Sequence, residues 1–246
     1  LSMHKKTEAW CGPFADISRG LVSDMRGRGA SDKHRPYTHA RWFDDVEELR
    51  QWAKDEKFVM TGGGSMSHGG FLTLEYALAY QQHLYGIVVS DSAAQMSHWG
   101  TINMTKAALT DPRYQMDLIA GFGSIAALYA APPEVKGHAG VDIDAVLSAS
   151  AMPFYKTGNA AMGDCLSRYD VRDRLQDIKV LAFIAVGRHE WIIPVQGSEK
   201  LAEKMPRSRL VMYEMSGHLP GMEEKTRFQE DVREFLKTLD VPGLKL

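Results

Sequence analysis

The sequence is poor in cysteine and has no long apolar run, and both shortages exclude whole classes of protein. Its 246 residues contain only two cysteines, Cys11 and Cys165, which lack Cys or His neighbours at metal-ligand spacing. We therefore expect no disulfide framework, no metal site and a reducing compartment, the cytoplasm. No apolar run approaches the length of a membrane span, and the N-terminal residues LSMHKKTEAW do not resemble a secretory signal.

Net charge is small as well. With 29 Lys and Arg against 31 Asp and Glu, the formal net charge is -2, so the composition indicates no basic surface for nucleic acid or for an anionic membrane. We expect the partner to be a small-molecule substrate that is neutral or weakly charged. The hydrophobic share of 44% suits one globular domain that buries a sheet. The sequence does not indicate an oligomeric state.

One glycine- and serine-rich stretch, Phe58–Tyr80, contains the most informative pattern. A short apolar strand leads into the turn TGGGSMSHGG, and a helix with apolar residues at helical spacing follows. A serine nucleophile needs this order, because a sharp turn between strand and helix holds its hydroxyl above the end of a sheet. The segment SHGG places the nucleophile at Ser67 and supplies small residues for close helix packing, whereas a second register places it at Ser65. An anion-binding loop without covalent chemistry would show the same pattern.

Predicted strands and helices alternate along the chain, which is typical of an α/β fold with a mostly parallel sheet and helices on both faces. We predict strands at Gly20–Met25, Phe58–Met60, Tyr85–Asp91, Val180–Val186 and Leu210–Tyr213, and helices at Arg41–Lys54, after Ser67, at Gln196–Lys204 and near the C-terminus. This core spans residues 1–92 and 169–246. Residues 93–168 break the alternation and are rich in Met, Ala and Tyr, so we predict a helical cap that lines an apolar substrate pocket.

Three polar residues are predicted at the C-terminal ends of strands, where ligands bind in open α/β sheets: Ser67, Glu190 and His218. Nucleophile, acid and histidine in this order form one of the known triad arrangements. His218 would take the serine proton, and Glu190 would hold the tautomer of its ring. Asp91 is the alternative acid, and a solvent-facing Glu190 or a structural loop histidine is the simpler interpretation of each residue alone. We expect no cofactor, because the glycines at 62–64 lack the spacing and the acidic partner of a dinucleotide fingerprint.

Seven segments match one known family in chain order: LVSDMRGRGASD, HARWFDDVEELRQW, SHGGFLTLEYALAY, FYKTGNAA, YDVRDRL, VGRHEWIIP and MSGHLP. In these segments the sequence resembles the α/β-hydrolase superfamily, in particular its proline iminopeptidase-like branch. The resemblance implies Ser67 as the nucleophile, His218 as the base, and Glu190 where the family usually has Asp. It also implies an oxyanion hole that includes the peptide N–H of His68.

The sequence departs from the family at two places. The turn before Ser67 is about three residues longer than the family's strand–turn–helix pattern, which predicts a displaced serine or a widened elbow. The family's His-Gly-Gly-Pro-Gly type of loop, which supplies a second oxyanion donor, does not occur in the sequence. We therefore expect either that the N-terminal strands are missing from this chain or that its activity is reduced.

The expected function is that of a serine hydrolase that cleaves a small apolar ester, lactone or amide through an acyl-enzyme. An apolar substrate is favoured because the predicted cap is mostly apolar and its acidic residues form no cluster for a substrate amine. Two alternatives stay open. One is a proline iminopeptidase, and the other is a non-hydrolytic relative that binds or rearranges a small molecule in the same pocket.

Overall fold

A parallel four-stranded sheet forms the centre of the protein. The computed structural model describes residues 12–27, 30–96, 165–166, 168–190 and 192–244, and for residues 62–66 it describes the backbone alone. Within these ranges the strands are β1 (Phe58–Met66), β2 (Leu84–Ser90), β3 (Leu181–Gly187) and β4 (Ser208–Tyr213), paired in that order and all parallel. Their C-terminal ends therefore share one edge of the sheet, as the sequence predicts.

Five α-helices accompany the sheet in the described ranges: α1 (His39–Ala53), α2 (His68–Tyr80), α3 (Val195–Lys204), α4 (Pro220–Glu223) and α5 (Lys225–Lys237). Helix α1 begins after Thr38, whose side chain accepts a hydrogen bond from the N–H of Arg41 and so satisfies one free donor of the first turn. Helix α1 packs beside α2, where the hydroxyl of Tyr76 donates to Glu47 at 2.9 Å. The predicted helices at Arg41–Lys54, after Ser67 and at Gln196–Lys204 are thus present within a residue or two at each end.

Helices cover both faces of the sheet. Successive side chains of a strand point to opposite faces, so Ile87 and Val89 belong to one hydrophobic core and Val88 belongs to the other. The first core includes Phe71 and Leu74 from α2 and Leu201 from α3, and the second includes Phe228, Val232, Phe235 and Leu236 from α5. Burying one such side chain stabilises the fold by about 1.5–3 kcal/mol relative to leaving it in water. The fold class predicted from the sequence is confirmed.

The predicted strand at Gly20–Met25 is wrong, because these residues form no strand in the structure. Asp24 forms a local turn with residues 30 and 31 instead. The carboxylate of Asp24 accepts the N–H of Ala30 at 2.8 Å, and its carbonyl accepts the hydroxyl of Ser31 at 2.5 Å. Leu21, which a buried strand would hide, is half exposed.

The predicted cap, residues 93–168, lies almost entirely outside the described residues. Its helices, its apolar pocket and the division of the chain into core and cap therefore stay predictions. In the ranges that the structure covers, no helix has both the length and the apolar character needed to cross a bilayer.

Candidate active site

Ser67 occupies a sharp turn between β1 and α2. Its backbone has φ 51° and ψ -118°, a conformation that non-glycine residues adopt rarely and at a cost of about 1–3 kcal/mol. The turn is held on both sides. The N–H of Ser67 donates to the carbonyl of Ser90 at 3.2 Å, and the carbonyl of Ser67 accepts the N–H of Gly70 at 2.9 Å. A strained serine at a strand-to-helix turn is the geometry of a nucleophile elbow.

The long segment before Ser67 is accommodated as a bulge in β1. Thr61 pairs with Val88, and Met66 pairs with Ser90, so five steps along β1 correspond to two steps along β2. Three extra residues therefore lie within the strand, before the sheet pairing resumes at Met66. Pairing with β2 resumes at Met66, and the N–H of Ser67 bonds to Ser90, so the backbone at Ser67 is fixed against the end of β2. Whether the longer turn displaces the serine or widens the elbow relative to the family stays a prediction. Ser65 lies inside this bulged part, and its side chain is outside the description.

Close packing under the turn requires glycine at position 70. A Cβ atom there would overlap Oγ of Ser92 and would lie only 2.7 Å from Cβ of the same residue. The hydroxyl of Ser92 in turn donates to the carbonyl of Ser67 at 2.9 Å. Ser92, in the loop after β2, thus stabilises the turn at Ser67. It can come this close to α2 only because Gly70 has no side chain.

His218 and Glu190 form a buried hydrogen-bonded pair at the same edge of the sheet. Nδ1 of His218 bonds to Oε2 of Glu190, and both side chains are almost completely removed from solvent. The other oxygen of Glu190, Oε1, accepts the backbone N–H groups of Ile192 at 2.6 Å and Ile193 at 3.2 Å. Glu190 is thus held by three hydrogen bonds, one with the imidazole of His218 and two from the backbone. Burial lowers the pKa of His218, but the charge and hydrogen bond of Glu190 outweigh it and raise that pKa above 6.5.

Asp91, the alternative acid, lies beside this pair. One ligand atom from each of Asp91, Glu190 and His218 lies within 4.8 Å of the others, and this is the only such group able to share a metal ion among the described residues. The oxygens of Asp91 accept the N–H of Gly187 at 3.0 Å and the hydroxyl of Ser90 at 2.5 Å. Burial, followed by the charge of Glu190, raises the pKa of Asp91 well above 3.8. Glu190 therefore has the direct bond to Nδ1, whereas the surroundings of Asp91 disfavour its charged form.

Residues without a clear sequence signal hold the loop of His218 in place. The carboxylate of Glu223, on α4, accepts the N–H groups of Gly217 at 2.8 Å and Leu219 at 3.1 Å, one on each side of the histidine. At the end of β3, a Cβ on Gly187 would overlap the carbonyl oxygen of Gly217. The sequence signal for Glu223 is weak, since an acidic residue five positions after a histidine is common in any loop.

Four of the predicted site residues follow the C-terminal ends of strands that share one sheet edge: Ser67 after β1, Asp91 after β2, Glu190 after β3 and His218 after β4. The structure brings Glu190, His218 and Asp91 together, and it places Ser67 and His68 at the neighbouring strand end. His68 is the first residue of α2. In the first turn of a helix the peptide N–H groups point out of the N-terminal end, where they can bind a developing negative charge.

Comparison with known proteins identifies the family. A model described as the alpha/beta hydrolase fold matches residues 13–225. The chain is 25% identical over 249 residues to the proline iminopeptidase PfmaB of Pestalotiopsis fici, covering 92% of this chain and 84% of the relative. It is 28% identical over 255 residues to a proline iminopeptidase of Saccharolobus solfataricus, covering 91% and 79%. A solved hydrolase structure from Pseudomonas aeruginosa matches with a TM-score of 0.73 and 23% identity, covering 96% and 86%. The similarity to two proline iminopeptidases supports the branch that the sequence resembles, and the chain belongs to the α/β-hydrolase fold family.

Proposed function

We propose that the protein is a serine hydrolase that cleaves a small, apolar ester, lactone or amide through an acyl-enzyme. One observation carries the proposal: a fully buried Glu190–His218 pair shares the sheet edge with Ser67, which has the backbone conformation of a nucleophile elbow. Family membership supports hydrolysis as the reaction class, because the relatives compared above are named as hydrolases or peptidases.

The proposed reaction assigns one task to each side chain. Oγ of Ser67 attacks the substrate carbonyl while Nε2 of His218 takes the hydroxyl proton, and the N–H of His68 binds the oxyanion. Glu190 holds the Nδ1–H tautomer of His218 and stabilises the imidazolium. The imidazolium then protonates the leaving group, and water activated by the same histidine hydrolyses the acyl-enzyme.

A proline iminopeptidase is the second candidate, because two relatives that cover most of this chain have that name. That reaction needs an acidic group to bind the ammonium of the substrate. At the described sheet edge, the carboxylates of Glu190, Asp91 and Glu223 already accept backbone or side-chain donors from the protein. An uncharged substrate is therefore the first choice, and parallel assays with proline 4-nitroanilide and 4-nitrophenyl butyrate decide between the two.

A fluorophosphonate probe tests the nucleophile directly. We expect wild-type protein to be labelled on the peptide that contains Ser67, and we expect S67A to lose the label while S65A keeps it. H218A should label far more slowly, since general base catalysis contributes about 10²–10⁴ in rate. Folded wild-type protein without label would contradict the proposal and favour a non-hydrolytic relative, and label on Ser65 would move the nucleophile.

A further inference from the structure

Three ionisable side chains outside the proposed triad form a second hydrogen-bonded chain beside the elbow. Oε2 of Glu75 bonds to Nδ1 of His39, and Nε2 of His39 lies 3.2 Å from Nε2 of His68. His68 and Glu75 are both on α2, about two helical turns apart, so they share one face of that helix. His39 is the first residue of α1 and bridges them from the neighbouring helix.

Aromatic rings lie beside these three hydrogen-bonded side chains and limit their contact with water. The side chain of His39 is only 8% exposed, and that of Glu75 is 25% exposed. The ring of Trp42 lies 5.6 Å from that of His68 at an angle of 88°, and the ring of Tyr169 lies 6.1 Å from that of His39. Hydrogen bonds in such surroundings are stronger than in water, and breaking one leaves a polar group unsatisfied.

The hydrogen-bond partners define where the protons are. A carboxylate only accepts, so Nδ1 of His39 carries the proton that points to Glu75. Nε2 of neutral His39 is then an acceptor, and Nε2 of His68 must donate to it. With His39 neutral, one arrangement of protons satisfies both bonds: Glu75 accepts from His39, and His39 accepts from His68. An imidazolium at His39 would instead donate to both partners, which would place the proton of neutral His68 on Nδ1.

We propose that Glu75 and His39 are positioning residues that fix His68 and, through it, the N–H that binds the oxyanion; this inference rests on the proposed hydrolase function. His68 begins α2 directly after the strained Ser67, so its N–H belongs to the helix end that faces the sheet edge. An oxyanion donor must lie about 2.7–3.1 Å from the developing charge. Tethering the His68 ring to α1 restricts movement of the backbone to which it is attached.

Two substitutions of His39 separate the contributions of its two hydrogen bonds, one to Glu75 and one to His68. The amide of H39N can replace Nδ1 and keep the bond to Glu75, but it is too short to reach His68. The amide of H39Q can replace Nε2 and keep the bond to His68. The matched control is H34N, because the side chain of His34 is exposed and its Nδ1 pairs with the exposed Asp32, away from the elbow.

We expect H39N to lower kcat for 4-nitrophenyl butyrate about tenfold, part of the 10²–10³ that loss of a whole oxyanion donor costs. KM should change little, because the oxyanion exists only in the transition state. H39Q should recover most of the rate, and H34N should match wild type. Equal losses of kcat in H39N and H39Q, or an unchanged kcat in folded H39N, would overturn the positioning proposal. Labelling of Ser67 by the fluorophosphonate would show in the same experiment that the hydrolase function still holds.

Nitrogen-15 NMR of histidine-labelled protein gives a readout that does not need activity. We expect His68 in wild-type protein to show a protonated Nε2 and an unprotonated Nδ1, and we expect this pattern to be lost in H39N but kept in H39Q. A mixture of tautomers at His68 in wild-type protein would overturn the proposed positioning by Glu75 and His39 even if the enzyme is active. If His68 shows the expected tautomer but no fluorophosphonate labels the protein, the hydrogen bonds from Glu75 through His39 to His68 are supported and only the proposed hydrolase function is refuted.

Discussion

Replacing Glu190 by glutamine is the most informative perturbation of the proposed triad. The change keeps the shape of the side chain, so the consequence depends on which end of the amide faces His218. If the amide oxygen stays at the Oε1 position, it keeps the N–H donors of Ile192 and Ile193. The reverse orientation would place an NH₂ group against both donors and lose two hydrogen bonds, each worth about 0.5–1.5 kcal/mol to a neutral amide oxygen.

The structure therefore selects the orientation in which the NH₂ group of the introduced glutamine faces His218. An amide NH₂ donates, so Nδ1 of His218 must accept and the ring must carry its proton on Nε2. A protonated Nε2 cannot take the proton of Ser67. The equivalent change of acid to amide in a serine protease triad lowers kcat about 10⁴-fold, which corresponds to about 5.4 kcal/mol in the activation free energy.

The assay is kcat for 4-nitrophenyl butyrate, with E190Q compared to D91N. Burial and the charge of Glu190 raise the pKa of Asp91 well above 3.8, so its environment favours the neutral form that Asn resembles. Asn at this position can still accept from the N–H of Gly187, so D91N should lose far less activity than E190Q. A larger loss in D91N, or an E190Q enzyme within tenfold of wild type, would refute the assignment of Glu190 as the acid.

The same edge of the sheet yields three further predictions. The rate constant kcat/KM should rise with pH through a midpoint above 6.5, because the base must be neutral and the pKa of His218 is raised; a pH–rate profile with a midpoint at or below 6.5 would contradict this. D91N should have a larger free energy of unfolding than wild type, by an amount that grows as pH rises above 3.8. Above that pH the unfolded wild-type chain ionises Asp91, whereas the folded protein resists its ionisation because its pKa is raised. Urea unfolding of both proteins near pH 4 and at higher pH checks the trend, and a difference in unfolding free energy that does not change with pH would disprove it. G187A should lose about 3 kcal/mol of unfolding free energy or fail to fold, because its Cβ would overlap a backbone oxygen. The control is G12A, whose added Cβ would have no atom within 4 Å, and its unfolding free energy measured in urea should equal that of wild type.

The local parts of the fold could be predicted from the sequence because their signals are local. The run from Val180 to Val186 is continuously apolar, as a strand buried on both faces must be, and it forms β3 nearly as predicted. The SHGG segment also predicts the elbow, since glycine is required where α2 passes close to Ser92. The segment Gly20–Met25 gives a false strand signal, because its short apolar run does not reveal that Asp24 closes a local turn.

The remaining features depend on contacts between distant parts of the chain. The bulge in β1 is defined only by its pairing with β2, so the sequence showed that the segment was long without showing where the extra residues lie. The same holds for Glu223, which bonds to backbone groups beside His218, and for the bridge from His39 to Glu75 between two helices. A sequence pattern indicates which residues are polar and not which partner each one meets.

A crystal structure of the protein after reaction with a small phosphonate tests the central claim most directly. The phosphonyl oxygen in such an adduct stands in for the oxyanion of the tetrahedral intermediate. We expect a covalent bond from Oγ of Ser67 to phosphorus, with the N–H of His68 within hydrogen-bond distance of the phosphonyl oxygen and Nε2 of His218 beside the leaving-group position. An adduct on another residue, or His218 turned away from Ser67 in that adduct, would contradict the proposed triad.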